Sequence, residues 1–276
     1  LKYTGHAIVV ILLLICLITP WQTIVGSFAR WDQTTVLERL LLHKPTLYNW
    51  RGIFDAKINS YAPLLGTWIW NSVRISTLTA LLCSLVSVTT GYAMARLNFF
   101  GKRVLFGSTM IMLMVPGLMM FIPIYMVLYR LGIGGWWGMV LSGGYSAGTA
   151  IMTRQFATGL ASDVLDAARV DGCGEWSLLW HVGIPLLRPM FGMTFAGVFA
   201  GQWNNLLWAN VMLKSQADWT LPQGIMMIVV QQLNNQAAAR IGPLCAMGVL
   251  SMILPVALFL WMQRYVVEGM EGLIRE

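Results

Sequence analysis

The sequence predicts an all-α, polytopic membrane protein with about six transmembrane helices, and three observations carry that prediction. First, 57% of its 276 residues are hydrophobic and only 11% are charged, where a soluble globular domain is about 25% charged. So much apolar side chain would leave large exposed patches in water, and lipid removes that cost. Second, the apolar residues collect into runs at 7–28, 68–95, 104–129, 136–153, 190–212 and 243–263. Runs of about 20 residues cross the hydrocarbon layer as helices. Third, all eleven acidic residues lie outside those runs.

Taken in order, the run 7–28 is too long for a signal-peptide core and lacks a small-residue cleavage site, so it is expected to be a retained span. The run 68–95 ends on Arg96, and 104–129 contains Pro116 and Pro123. The fourth run, 136–153, holds Gly143, Gly144 and Gly148. Proline and glycine are tolerated in membrane helices when neighbours satisfy the backbone, and none of the runs alternates as barrel strands do. Gly144-x-x-x-Gly148 and Gly197-x-x-x-Gly201 have a spacing that permits close helix approach. The thirteen Trp and eighteen Met suit interfaces and irregular packing gaps. Residues 1–276 read as a single membrane domain with two larger segments outside the bilayer, 30–66 and 154–189. In the first, Trp31, Tyr48, Trp50 and Tyr61 are expected either to pack a small cap or to anchor at the interface.

The net charge of +7 and pI near 9.5 do not indicate nucleic acid, because the basic residues are scattered and form no run or face. They are expected to meet lipid head groups of the bilayer and to bias topology. Lys and Arg divide almost evenly between the two sides, so charge alone does not orient the chain; six spans place both termini on one side. Cys16, Cys83, Cys173 and Cys245 form no CxxC pair, and His6, His43 and His181 are dispersed. Neither a metal site, a disulfide framework nor a catalytic grouping is expected. Gly101-Lys102-Arg103 resembles the end of a phosphate-binding loop, but Arg96 occupies the position of its leading glycine. The chain is therefore expected to bind no cofactor. The absence of an intramembrane carboxylate also argues against a solitary proton- or sodium-coupled carrier, which is kept with a channel as the alternative.

Four of the eleven acidic residues sit in Asp163–Glu175. Ser162 or Asp163 is placed to cap a helix, and Asp163 and Asp166 suit its positive end. Gly172 is placed to end that helix in the left-handed conformation. A second helix is expected from about Gly174 to Val182, stopped before Pro185, with Trp176, Leu179, Trp180 and Gly183 on one apolar face. This helix-turn-helix, with Ala167 and Ala168 as small contact residues and acids at its edge, has the form of a protein docking element.

Asp166-Ala167-Ala168, three residues, Gly172, nine residues, then Val182-Gly183-Ile184-Pro185 resembles the EAA loop of ABC importer permeases. Asn71-Ser72, Gly91-Tyr92-Ala93-Met94-Ala95-Arg96, Phe100-Gly101-Lys102, Trp203-Asn204 and Gln263-Arg264-Tyr265-Val266-Val267-Glu268-Gly269 extend the resemblance along most of the chain, toward the carbohydrate branch similar to the maltose-system permeases. The resemblance implies that 154–189 is a cytoplasmic coupling loop, which puts both termini in the cytoplasm of a bacterial cell. It also implies four partners: a second homologous permease, an ATPase dimer carrying ATP and Mg, an extracytoplasmic solute-binding protein and the inner-membrane bilayer. Asp166, Ala167, Ala168, Asp171, Gly172, Glu175 and Trp176 would meet the ATPase. Asp166 replaces the family's Glu and shortens the reach by one methylene; Asn205 stands where an Asp is more usual. Gln202, Trp203, Asn204, Asn205 and Trp208 are the densest polar and aromatic group in any span. They are expected either to line a path for a sugar, which the resemblance implies is an oligosaccharide, or to hold helices together.

Overall fold

The computed structural model describes residues 2–29, 45–57, 59–160, 162–234 and 241–274. All the described secondary structure is helical, and the chain divides into two compact units. Trp31 and the rest of 30–44 lie outside the described residues.

One unit joins Leu1–Asn71 to Ser215–Leu254. Its first helix, α1 (Lys2–Phe28), is apolar on every side, and only 6% of its most apolar window is buried; such a surface needs lipid around it. The end of α1 is held by a side chain. Asn49, in the short helix α2 (Tyr48–Phe54), donates its amide to the carbonyls of Ser27 at 3.1 Å and Ala29 at 2.8 Å. Trp50 packs on Phe28 at 5.9 Å between ring centroids, and Tyr61 on Trp68 at 5.7 Å. Tyr48 is exposed.

The long helix α3 (Ala62–Arg96) contributes Trp68 and Asn71 to this unit. Trp68 Nε1 donates to the Gln216 carbonyl at 2.7 Å, and Asn71 donates to Ala217 at 2.8 Å and Trp219 at 3.1 Å. These two side chains fasten the irregular turn that leads into α12 (Leu221–Asn234). Gly224 in α12 lies under the Trp68 ring, where a Cβ would come within 2.1 Å. No helix was expected here, because its apolar stretch Ile225–Val230 is too short to read as a span.

The second unit holds Ser72–Lys214 and Pro255–Glu276. Half of the most apolar window of α3 is buried, and small polar residues (Ser72, Ser76, Thr79, Ser84 and Ser87) fill much of its buried surface. Small side chains let backbones approach when no hydrophobic effect pushes helices together. The expected continuous helix over 104–129 is instead α4 (Lys102–Met114) and α5 (Gly117–Arg130), bent by 114°. Pro116 removes a backbone donor and forces Val115 into extended geometry, φ −84° and ψ 122°. The run 136–153 is likewise divided, into α6 (Gly135–Ser142) and α7 (Ala147–Gly159). A Cβ on Gly143 would meet Thr79 at 2.6 Å, and one on Gly144 would meet Leu82 at 2.7 Å. Close approach to α3 therefore explains the glycine pair. By contrast Gly148 has ordinary clearance, and Gly197 and Gly201 have no neighbour within 4 Å.

Helix α13 (Ile241–Ile274) closes the described chain. Among the described residues, three helices are long and apolar enough to cross a membrane, and up to five spans result if each of two bent pairs counts as one. The second bent pair, turned by 69°, leads from the predicted docking segment into α10 (Arg188–Trp203).

The tightest junction in this unit involves the Gly91–Arg96 stretch. A Cβ on Gly91 would lie 2.5 Å from the Ala150 carbonyl oxygen and 2.6 Å from Thr153 Cβ. Arg96 then donates to the last carbonyls of α7: Ala157 at 2.7 Å, Thr158 at 3.1 Å and Leu160. A cation at a helix C-terminus satisfies orphan carbonyls and the dipole together. Gly91→Ala should lower the thermal midpoint of the detergent-purified protein by several degrees, consistent with ~1–3 kcal/mol for overpacking a close contact. Gly107→Ala, which has no neighbour within 4 Å, should leave it unchanged; thermal-shift fluorescence of the two variants checks the difference.

Candidate functional site

The segment 154–189 folds as a helical hairpin. Its first arm, α8 (Ser162–Val170), ends in a Schellman turn at Gly172, φ +85°. The Cys173 amide donates to the Ala168 carbonyl and the Gly172 amide to the Arg169 carbonyl, both at 3.0 Å. That pair of bonds satisfies the exposed end of the helix, and the positive φ suits glycine. The side chains of Ser162 and Asp163, expected to cap the arm, lie outside the described residues.

The second arm, α9 (Glu175–Leu186), is longer than expected. It widens into a π-helical turn over Leu179–Gly183 and continues past Pro185 to Leu186. The helix does not stop before Pro185, because the wide turn precedes the residue that cannot donate to the ladder. The face of α9 also differs from the expected one. Leu178, Leu179 and Gly183 are buried, whereas Trp176 is 75% exposed and Trp180 is 50% exposed. Trp176 and Trp180 are four apart on one stripe and Leu179 and Gly183 four apart on the next, and the stripe beside Leu178 is the one that is buried.

What the hairpin rests on is clear. Leu165, Leu178, Leu179 and Leu187 form one core cluster with Val88 and Tyr92 of α3, Ala157 of α7 and Met190 of α10. Gly183 lies against the Tyr92 ring, where a Cβ would come within 2.9 Å. The Tyr92 hydroxyl is buried without a hydrogen-bond partner among the described residues.

The outer edge is polar. Asp166, Ala167, Asp171, Gly172 and Glu175 are exposed, and Ala168 is half-buried toward the core cluster. Arg169 joins the two arms: Nη1 donates to Asp166 at 2.9 Å and Nε to Glu175 at 3.2 Å. Hydrogen bonds to Glu175 first, and Asp166 next, raise the Arg169 pKa above its ordinary value. Exposed pairs of this kind add little stability, so their chief effect is to fix the turn's shape. The Asp166–Arg169 spacing of three residues on one helix was the available signal for this clamp. Below the overhang of Trp176 and Trp180, an apolar trough of about 470 Å³ runs against Leu85, Thr89 and Leu105.

The second predicted group surrounds a break between α10 and α11 (Leu206–Met212). Gln202 is buried, donates to the Met139 carbonyl at 3.4 Å and accepts from Asn205 at 3.1 Å. The Asn205 side chain caps α11 through the Trp208 amide at 3.2 Å. Trp203 is buried beside Phe199, and Trp208 meets Phe121 edge-on at 4.6 Å. Asn204 is exposed and donates to the Ala200 carbonyl of its own helix at 2.9 Å.

Comparison with known proteins agrees with this geometry. Residues 87–272 match the family described as the binding-protein-dependent transport system inner membrane component. The arabinooligosaccharides transport system permease protein of Halalkalibacterium halodurans is 32% identical over 76% of this chain and 74% of its own length. The lactose transport system permease protein of Rhizobium radiobacter is 28% identical over 75% and 74%. In fold, the chain is similar to a chain of a bacterial ABC transporter involved in the import of the acidic polysaccharide alginate, with a TM-score of 0.81 and 20% identity over 96% of both chains. The chain therefore belongs to the multi-pass inner-membrane permeases of binding-protein-dependent ABC importers, transport subunits with no catalytic or cofactor site of their own that act with a solute-binding protein and an ATPase.

Proposed function

We propose that this permease imports a sugar, an oligosaccharide, and that the hairpin in 154–189 is its cytoplasmic contact with an ATPase dimer. The observation that carries the coupling reading is the shared core cluster. The exposed edge at Asp166–Glu175 and the helices α3 and α10 grip the same buried leucines, so a push on the edge reaches both helices through close-packed side chains. ATP binding and hydrolysis on the partner would bias an inward-facing/outward-facing equilibrium through that seat. On this reading both termini are cytoplasmic and 30–66 lies on the far side. A second, homologous permease would complete the pathway.

The sugar reading is supported by relatives whose names specify arabinooligosaccharides and lactose. Within the chain, Gln202, Trp203, Asn205 and Trp208 shape the break in α10–α11, and Asn204 is the exposed polar side chain beside it. We assign substrate contact to Asn204 and the shaping of the path to the other four.

Two outcomes test these assignments. Gly172→Val should cost ~1–2 kcal/mol in the left-handed turn and release most of the ATPase in a mild-detergent pull-down, whereas Gly172→Asn, which tolerates that conformation, should retain it. Equal ATPase recovery and transport in the valine variant would remove the docking assignment. Separately, Asn204→Ala should lower uptake of the sugar held by the cognate binding protein, with assembly unchanged. Undiminished uptake at normal assembly would show that Asn204 makes no functional contact.

A further inference from the structure

Away from the hairpin's outer edge, an open groove of about 300 Å³ lies among α3, the end of α9, α10 and α13. Ile184, Phe191, Phe195 and Met262 make its wall apolar. Two polar groups interrupt that wall. Ser84 is 3% exposed, and its hydroxyl has no hydrogen-bond partner among the described residues. Arg188, the first residue of α10, is exposed and has no ion pair among the described residues. No carboxylate lines the groove.

These features have a common reading. A buried hydroxyl without a partner is costly and calls for an acceptor or donor from a ligand. A guanidinium without a carboxylate recognises phosphate oxygens with its planar fork. A continuous apolar wall beside that cation suits hydrocarbon. A sugar is a poor match, since its many hydroxyls need several convergent polar groups. An amphiphile with one anionic head and a hydrocarbon tail satisfies all three.

We propose that this groove binds an anionic phospholipid from the leaflet on the hairpin's side of the membrane. The phosphate sits on Arg188, the Ser84 hydroxyl donates to an ester carbonyl oxygen, and an acyl chain lies along Phe191, Phe195 and Met262. Basic pockets between membrane helices are established sites for lipid head groups. Because Ile184 and Arg188 flank the bend between the hairpin and α10, such a lipid would hold the joint through which the hairpin connects to its span. The proposal does not depend on the identity of the transported sugar.

The test is native mass spectrometry of the intact complex, partly delipidated and then offered phosphatidylglycerol or phosphatidylcholine with identical acyl chains. The wild type should retain phosphatidylglycerol preferentially. Arg188→Gln should lower that retention about tenfold, the size expected for one charge-assisted contact, and Arg188→Lys should fall between them. Should Arg188→Gln fail to assemble, Met262→Trp decides: it fills the apolar wall while leaving the guanidinium, and should also abolish retention. Equal retention of the two lipids overturns the proposal, as does unchanged retention in an assembled Arg188→Gln or Met262→Trp complex. Displacement of phosphatidylglycerol by inorganic phosphate or glycerol phosphate would overturn it in favour of a soluble anion. Absence of any retained phospholipid, as when a second permease subunit covers the groove, would also overturn it.

Discussion

Arg96 donates to three carbonyls at the end of α7, and side chains of the same kind complete several other helix ends in the described residues. Hydrocarbon supplies no hydrogen bonds, so a broken helix in a membrane must be completed from within the protein. Asn49 completes the end of α1, and Asn71 holds the turn before α12. Gln202 and Asn205 bridge the break before α11. Each is a multidentate amide or guanidinium at a position where a single hydroxyl would leave groups unpaired.

That rule also explains what the amino-acid order revealed and what it hid. Apolar length located α1, α3 and α13 well, because each is one uninterrupted helix. Breaks were harder to see. Pro116 and Gly143-Gly144 were visible as irregularities, but their consequences depend on neighbours. Gly143 and Gly144 accommodate Thr79 and Leu82, far away in sequence. Helix α12 was missed because its six-residue apolar stretch carries no span signal, and its docking rests on Trp68 above Gly224.

The hairpin was more legible, since its turn is local. Gly172 ends α8 in the expected left-handed conformation through bonds confined to neighbouring residues. The face of α9 was misjudged, because Trp176–Trp180 and Leu179–Gly183 share the same helical spacing and spacing alone does not tell which stripe is buried. The group at Gln202–Trp208 shows the limit of reading chemistry from composition. Its amides and indoles were expected either to line a sugar path or to hold helices together, and Gln202 and Asn205 bond each other while Trp203 packs on Phe199. Sequence displays polar groups, whereas folding decides which are already engaged.

The wide turn at Leu179–Gly183 has a consequence for how this segment tolerates change. A helix advances about 100° per residue, so removing or adding one residue between Gly172 and Pro185 would swing the acidic edge through roughly that angle relative to its leucine seat. Side-chain replacements on the exposed edge leave this phase intact, as the shortened acid at Asp166 illustrates. The hairpin thus works like a key cut to a length: its teeth can be refiled, but a shift along the shank turns them away from the lock.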